Sequence, residues 1–121
     1  MTLSDKQWQV LEVLWAAPEG LTLGQTVEAL RPITGWSRNT VLTYLTRMEN
    51  KGLVVIRKED TPHRYRAGVD RESCAAQERR GLLERAYHGS AGKLVAAFLK
   101  EETITAQERE ELRRLLDEME V

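Results

Sequence analysis

Three segments with helical periodicity, each preceded by a capping residue, constrain the fold of this chain more than any other feature. Ser4 begins a capping box before the first segment, and Thr22 begins another before the second, which we expect Pro32 to end. Ser37 can cap the third segment, and Gly52 suits the left-handed residue that follows a helix. The first part of the sequence therefore predicts three short helices.

The pattern changes after the third helix. Residues 53–58 are rich in β-branched side chains, which is typical of a strand, and residues 59–63 contain a turn with a proline. Residues 64–69 can return as the partner strand. Three helices followed by a hairpin is the order of a winged helix-turn-helix, so we expect a mainly α fold with a small β-hairpin wing, over residues 1–70.

The second part of the chain has helical patterns without a strand signal. Helical segments at 71–88 and 91–101 are followed by a third capping box at Thr105 and a last apolar stripe. We expect residues 71–121 to form a separate helical domain, which gives two domains in 121 residues.

The distribution of charge is more informative than the net charge of −1. Residues 31–66 carry eight basic and three acidic side chains, a local net charge of +5, whereas residues 71–121 carry nine basic and eleven acidic ones. Basic charge around the third helix favours an anionic partner.

The predicted third helix has an apolar side and a polar side. Four residues form the apolar side: Val41, Tyr44, Leu45 and Met48. Four others point away from it: Asn39, Thr43, Thr46 and Arg47. A helix in the DNA major groove needs this arrangement, because the apolar side holds it rigidly and Asn, Thr and Arg can contact base edges. We expect double-stranded DNA as the partner.

Further side chains near this helix favour phosphate contacts. Ser37, Arg38 and Thr40 lie in its first turn, where free amide groups and the helix dipole attract a phosphate. The hairpin adds three arginines near its tip: Arg57, Arg64 and Arg66. These arginines would bind the sugar–phosphate backbone beside the site. The alternative is a winged-helix protein-interaction module without specific DNA binding, since the fold alone does not decide.

The segments WQVLEVLW (8–15) and GWSRNTVLTYLTRMENKGLV (35–54) and the RYR strand (64–66) resemble the penicillinase-repressor family. These are the BlaI/MecI-type bacterial repressors, with CopY-type copper repressors as relatives, and the resemblance covers nearly the whole chain. It implies a dimeric winged-helix repressor that binds a palindromic operator and dimerises through its C-terminal helices.

The resemblance also implies roles for individual residues. Thr40, Thr43 and Arg47 would face DNA, with Arg38 and Asn39 at the groove edge. The chain departs from the family at Leu42, where many members carry a basic residue. The Cys-x-Cys pairs of the copper-responsive branch are absent, so we expect no copper sensing.

A second departure concerns proteolysis. Members controlled by a sensor protease are cut at an Asn-Phe bond in the C-terminal half. The matching bond here joins Ala97 to Phe98, so the phenylalanine is kept and the asparagine is replaced. The resemblance therefore implies Ala97–Phe98 as the candidate cleavage bond and a membrane sensor protease as a candidate partner.

The last two predicted helices carry an apolar stripe that needs burial. Six residues form it: Leu94, Phe98, Leu112, Leu115, Leu116 and Met119. Short helices are not stable without such burial, so the stripe folds back on the winged helix or packs against a second copy. We favour the second copy, and hence a homodimer whose two reading helices contact an inverted repeat.

Other functions have little support in the sequence. Cys74 is the only cysteine, and a lone thiol at the start of a helix is more often inert than a redox sensor. His63 and His88 have no neighbours at metal-ligand spacing, and no catalytic motif is present, so we expect no metal, cofactor or enzymatic activity. We expect a cytoplasmic protein without a signal peptide or membrane insertion.

Overall fold

The computed structural model describes residues 2–101 and 104–119, so residues 1, 102, 103, 120 and 121 lie outside the described residues. Its elements follow in chain order: α1 (Asp5–Trp15), β1 (Leu21–Thr22), α2 (Leu23–Thr34), α3 (Arg38–Asn50), β2 (Val54–Arg57), β3 (Arg64–Ala67), α4 (Arg71–Tyr87), α5 (Ala91–Lys100) and α6 (Ala106–Glu118). This order confirms the predicted mainly α architecture with a small β wing. The strand β1 is an addition that the sequence does not predict.

Reciprocal hydrogen bonds fix where three of the helices begin. The Ser4 hydroxyl accepts a hydrogen bond from the Gln7 amide at 3.1 Å, and the Gln7 side-chain oxygen accepts one from the Ser4 amide at 2.9 Å. The same pair of bonds forms at Thr22 and at Thr105. Each pair satisfies amide groups that have no partner inside the helix. The three predicted capping boxes are confirmed.

The end of α2 differs from the sequence prediction. The prediction that Pro32 ends this helix is wrong, because α2 continues to Thr34 with the proline inside it. A proline in the last turn removes a single amide donor, here the one that would bond to the Glu28 carbonyl, and the next residues remain helical. The helix ends at Gly35, whose φ is 66° and whose amide donates to the Arg31 carbonyl at 3.0 Å.

The three strands form one antiparallel sheet in the order β1–β3–β2. The predicted hairpin is present, with Ile56 opposite Tyr65 and Val54 opposite Ala67. On the other side of β3, Leu21 of β1 lies opposite Tyr65. A strand of two residues that pairs with a distant segment has no local periodicity, so it could not be predicted from the sequence.

A glycine allows the wing to approach the end of α3 closely. A Cβ atom on Gly68 would lie 2.9 Å from the Gly52 carbonyl oxygen, which is too close for any side chain. The Gly68 amide donates to the Leu53 carbonyl at 2.8 Å. The residues that follow β3 therefore lie directly against the residues that follow α3.

The core of the first part of the chain lies between α1, α2, α3 and the inner face of the sheet. Its buried apolar side chains are Leu3, Val10, Leu11, Leu14, Val27, Leu30, Val41, Leu45, Met48, Leu53, Val54 and Tyr65. At its margin the Trp15 Nε1 donates to the Val69 carbonyl at 2.9 Å, and Arg71 forms an ion pair with Glu12 at 3.0 Å. These contacts attach the start of α4 to α1.

The chain divides into two compact units after Glu78, within α4. The first unit contains all of these buried core side chains. In the second unit no side chain is fully buried among residues 79–101 and 104–119. The division predicted from the sequence, with residues 1–70 for DNA binding and residues 71–121 for dimerisation, concerns function rather than compactness. It stays a prediction.

Candidate nucleic-acid interface

Three buried side chains hold α3 against the core. Val41 and Leu45 have no exposed surface, and Met48 is 1% exposed. They recur at intervals of four and three residues, so they form one stripe along the helix. Burial of an apolar side chain of this size stabilises a fold by about 1.5–3 kcal/mol. The stripe therefore fixes the orientation of α3 and leaves its opposite side in solvent.

An aromatic pair supports the same helix. Trp36 precedes α3, and its ring stacks on the Tyr44 ring with centroids 4.4 Å apart and planes 10° from parallel. The Trp36 amide donates to the Thr34 hydroxyl at 3.2 Å, and this hydroxyl donates to the Leu30 carbonyl at 3.1 Å. This role of Trp36 is not predicted from the sequence. An apolar residue directly before an N-cap is the signal, because it often packs on the helix that follows.

The first turn of α3 has the predicted cap. The Ser37 hydroxyl oxygen accepts a hydrogen bond from the Thr40 amide at 3.3 Å and lies 3.1 Å from the Thr40 hydroxyl oxygen. The side chain of Arg38 is exposed next to this cap. These three residues therefore lie together at the positive end of the helix, where the sequence pattern predicts a phosphate contact.

The outward side of α3 is polar and basic. The predicted base-reading residues all lie off the buried stripe: Asn39, Thr46 and Arg47 are exposed, and Thr43 is half-buried. The Thr43 hydroxyl donates to the Asn39 carbonyl at 2.9 Å, so its oxygen remains as an acceptor.

The charges on this side favour an anionic partner. The acidic residue of α3, Glu49, lies 3.6 Å from the Lys58 ammonium. Within the described residues, neither Arg38 nor Arg47 forms an ion pair. Two unneutralised guanidinium groups therefore border a surface from which carboxylates are absent over residues 38–48.

The wing places its arginines on the outer face of the sheet. Arg57 lies opposite Arg64 across the two strands, and Arg66 follows two residues later on the same face, because Tyr65 between them is buried. The three predicted phosphate contacts are therefore close together.

The environments of the three arginines differ. Arg57 lies 3.3 Å from the Glu59 carboxylate, whose pKa is held below its ordinary value by a hydrogen bond from its own backbone amide and then by Arg57. The Arg64 guanidinium donates to the Gly20 carbonyl at 3.3 Å. Arg66 is exposed and forms no ion pair within the described part of the chain. Arg66 is thus the most available of the three for a phosphate.

The second unit exposes the predicted apolar stripe. Leu94 and Leu112 are half-buried, and the other four members are exposed: Phe98, Leu115, Leu116 and Met119. Two open grooves of about 430 and 420 Å³ run beside α6, and Val95, Leu112 and Leu115 line both of them. Ala97 and Phe98 lie within α5, so the bond between them is helical.

The cysteine has an environment that disfavours reactivity. Cys74 is half-buried and packs against the core. Burial, followed by the nearby Asp70 and Glu78 carboxylates, raises the pKa of the thiol above its ordinary value. Since the thiolate is the reactive form, this environment gives no support to a redox role.

Two further observations concern residues 2–101 and 104–119. No group of three His, Cys, Asp or Glu side chains among them could hold a metal ion. None of the helices in these ranges combines the length and the apolar character that crossing a bilayer requires.

The comparison with protein families agrees with this geometry. The family model described as penicillinase repressor matches residues 3–118. The chain belongs to the penicillinase-repressor family. Penicillinase repressors regulate transcription and are not enzymes. The resemblance stated from the sequence is confirmed.

Individual proteins are similar to this chain over most of their length. The chain is 32% identical over 118 residues to the transcriptional regulator BlaI of Mycobacterium tuberculosis, covering 98% of this chain and 85% of that protein. It is 26% identical over 116 residues to the penicillinase repressor of Bacillus licheniformis, covering 96% and 90%. It is 24% identical over 115 residues to the methicillin resistance regulatory protein MecI of Staphylococcus aureus strain N315, covering 95% and 93%.

A solved structure shares the fold of this chain. A MarR family protein from Bacillus stearothermophilus superposes with a TM-score of 0.51 at 20% sequence identity, covering 98% of this chain and 76% of that one. Together with the element order, this likeness confirms the winged helix-turn-helix fold.

Proposed function

We propose that this repressor binds an inverted-repeat operator as a homodimer and places α3 of each subunit in a major groove. The observation that carries the proposal is the outward side of α3. Asn39, Thr46 and Arg47 are exposed there, and the stripe opposite them is fully buried. Base readout requires side chains that are held rigidly and that do not repel phosphate, and this surface meets both requirements.

Contacts to the DNA backbone would come from the first turn of α3 and from the wing. The cap formed by Ser37 and Thr40 offers the positive end of the helix, and Arg38 adds a charge beside it. On the wing, Arg66 forms no ion pair with the described residues, while Arg64 is also bonded to the Gly20 carbonyl. Such contacts increase affinity and its dependence on salt, with little effect on sequence preference.

Dimerisation is supported by the apolar surface of α5 and α6. Leu115 and Leu116 are more than half exposed, and they border grooves lined mainly by apolar side chains. A second copy would cover these side chains with an equivalent surface, as expected for a two-fold interface. Two linked reading helices bind an inverted repeat more tightly than one, because the second contact forms at a high effective concentration.

Relief of repression would follow from separation of the two copies. Cleavage between Ala97 and Phe98, by a sensor protease in the membrane, would detach α6 and the last residues of α5 from the rest of the chain. Of the described residues that line the two grooves, Val95 alone would remain with the winged helix. The remaining winged helices would bind half-sites separately, and operator affinity would fall.

Selection from a library of random duplexes tests the proposed function. The chain is expected to enrich an inverted repeat whose half-sites are about one or more helical turns apart. Its binding to any duplex should weaken steeply between about 50 and 200 mM salt. A protein-interaction module would enrich no sequence and would bind a random duplex equally at both salt concentrations, and that result would overturn the proposal.

A further inference from the structure

The surface of α3 contains one exposed apolar side chain. Leu42 is 37% exposed, whereas the other aliphatic residues of α3 are buried. A rotation of about 100° per residue places Leu42 on the border between the buried stripe and the outward side, one turn before Thr46. An isolated exposed leucine is ordinary on a protein surface, so its position, rather than its exposure, is informative.

The major groove offers one apolar group that a leucine can contact. This group is the C5-methyl of thymine, because the other groups that identify a base pair in this groove are hydrogen-bond donors or acceptors. Against one of these polar groups, Leu42 would displace water without replacing its hydrogen bonds, which is unfavourable. Against a thymine methyl, both apolar groups would be removed from water, which is favourable.

The neighbouring Thr43 has a similar character. Its hydroxyl proton is used in the 2.9 Å bond to the Asn39 carbonyl, so the side chain presents an acceptor oxygen and a methyl group. Leu42 and Thr43 therefore form a part of α3 that lacks a free hydrogen-bond donor. Guanine, whose major-groove edge presents the acceptors N7 and O6 and no apolar group, would find no partner at this place.

We propose that Leu42 is a specificity-determining residue that recognises a thymine in each operator half-site through the C5-methyl group. The inference rests on the proposed function, because it requires α3 to lie in the major groove. It adds the chemical identity of one base in the half-site and the side chain that selects it.

Replacement of thymine by deoxyuridine tests this contact, since it removes the methyl group and changes no hydrogen bond. The probe is the duplex that the chain enriches from the random library, with each thymine replaced in turn. For the unaltered chain, we expect deoxyuridine at one position per half-site to weaken binding about fourfold, as loss of one buried methyl predicts. In Leu42→Ala this penalty should disappear at the same position.

Two further variants make the assignment specific. Thr43→Ser removes the other methyl group and should keep the deoxyuridine penalty. Leu82→Ala removes a leucine of α4 with similar exposure, 41%, and should keep it as well. A penalty that persists in Leu42→Ala, that disappears in Thr43→Ser, or that is absent at every thymine of an enriched duplex would overturn this inference alone. Failure to enrich any duplex would overturn the proposed function.

Discussion

The ring of Trp36 lies flat on the ring of Tyr44, with centroids 4.4 Å apart. Trp36 belongs to the connection between α2 and α3, and Tyr44 lies in the middle of α3. Stacked aromatic rings are worth about 0.5–1.5 kcal/mol beyond the apolar area that they bury. The pair therefore ties the start of α3 to its centre, on the flank of the surface proposed to read DNA.

Loss of the Tyr44 ring should destabilise the winged helix. We expect Tyr44→Ala to lower the free energy of unfolding by about 2–3 kcal/mol, less than for a fully buried aromatic residue, because the ring is half-buried. Tyr44→Phe keeps the stacked ring and should remain within about 0.5 kcal/mol of the unaltered chain. Urea denaturation followed by circular dichroism measures both values. Equal stability of the two variants would show that the stack contributes nothing.

Charge introduced into the apolar stripe of α6 should separate the subunits. Leu116→Asp replaces an exposed apolar side chain that borders the larger groove, and we expect the dissociation constant of the dimer to rise at least about tenfold. Arg114→Ala changes a residue of α6 outside both groove linings and serves as the control. Sedimentation velocity over a range of concentrations gives the constants. If Leu116→Asp remains a dimer, the interface lies elsewhere.

Removal of a wing charge should weaken binding to all sequences alike. Arg66→Ala is expected to reduce the slope of log K against log salt by about one, without a change in the preferred sequence. Glu59→Gln should have the opposite effect, because it removes a carboxylate 3.3 Å from Arg57. Fluorescence anisotropy at several salt concentrations measures the slopes. An unchanged slope in both variants would place the wing away from the DNA.

The thiol of Cys74 should react slowly in the folded chain. Its raised pKa lowers the thiolate fraction at neutral pH, so alkylation by iodoacetamide should be slower than in the urea-unfolded chain from about pH 7 to pH 10. By the same linkage, the contribution of this group to stability is present below the unfolded pKa and is lost as pH rises through the folded pKa. A folded chain that reacts as fast as the unfolded chain would contradict this environment.

Local patterns were sufficient to predict most of the fold. Caps such as Ser4 and Ser37 have their partners within the same helical turn, so their geometry depends on neighbouring residues alone. The buried stripe of Val41, Leu45 and Met48 follows from helical periodicity in the same way.

The remaining features depend on contacts between distant segments. The strand β1 exists because Leu21 meets Tyr65, and Arg64 is tied to the Gly20 carbonyl by the same approach of the two segments. Local sequence patterns therefore do not distinguish the three wing arginines, although the structure gives them different partners. Pro32 illustrates a local rule that fails near a helix end, where few hydrogen bonds remain to be lost.

The proposed function depends most on the outward side of α3, and substitution of Arg47 tests this surface most directly. The measurement is the dissociation constant of Arg47→Ala for the enriched duplex at one fixed salt concentration. Arg80→Ala, which removes an exposed charge from α4, is the matched control. We expect Arg47→Ala to lose about 1–3 kcal/mol of binding, roughly 5- to 150-fold in affinity, with relaxed preference at one base pair, while Arg80→Ala binds normally. Equal affinity and unchanged sequence preference in Arg47→Ala would contradict the account.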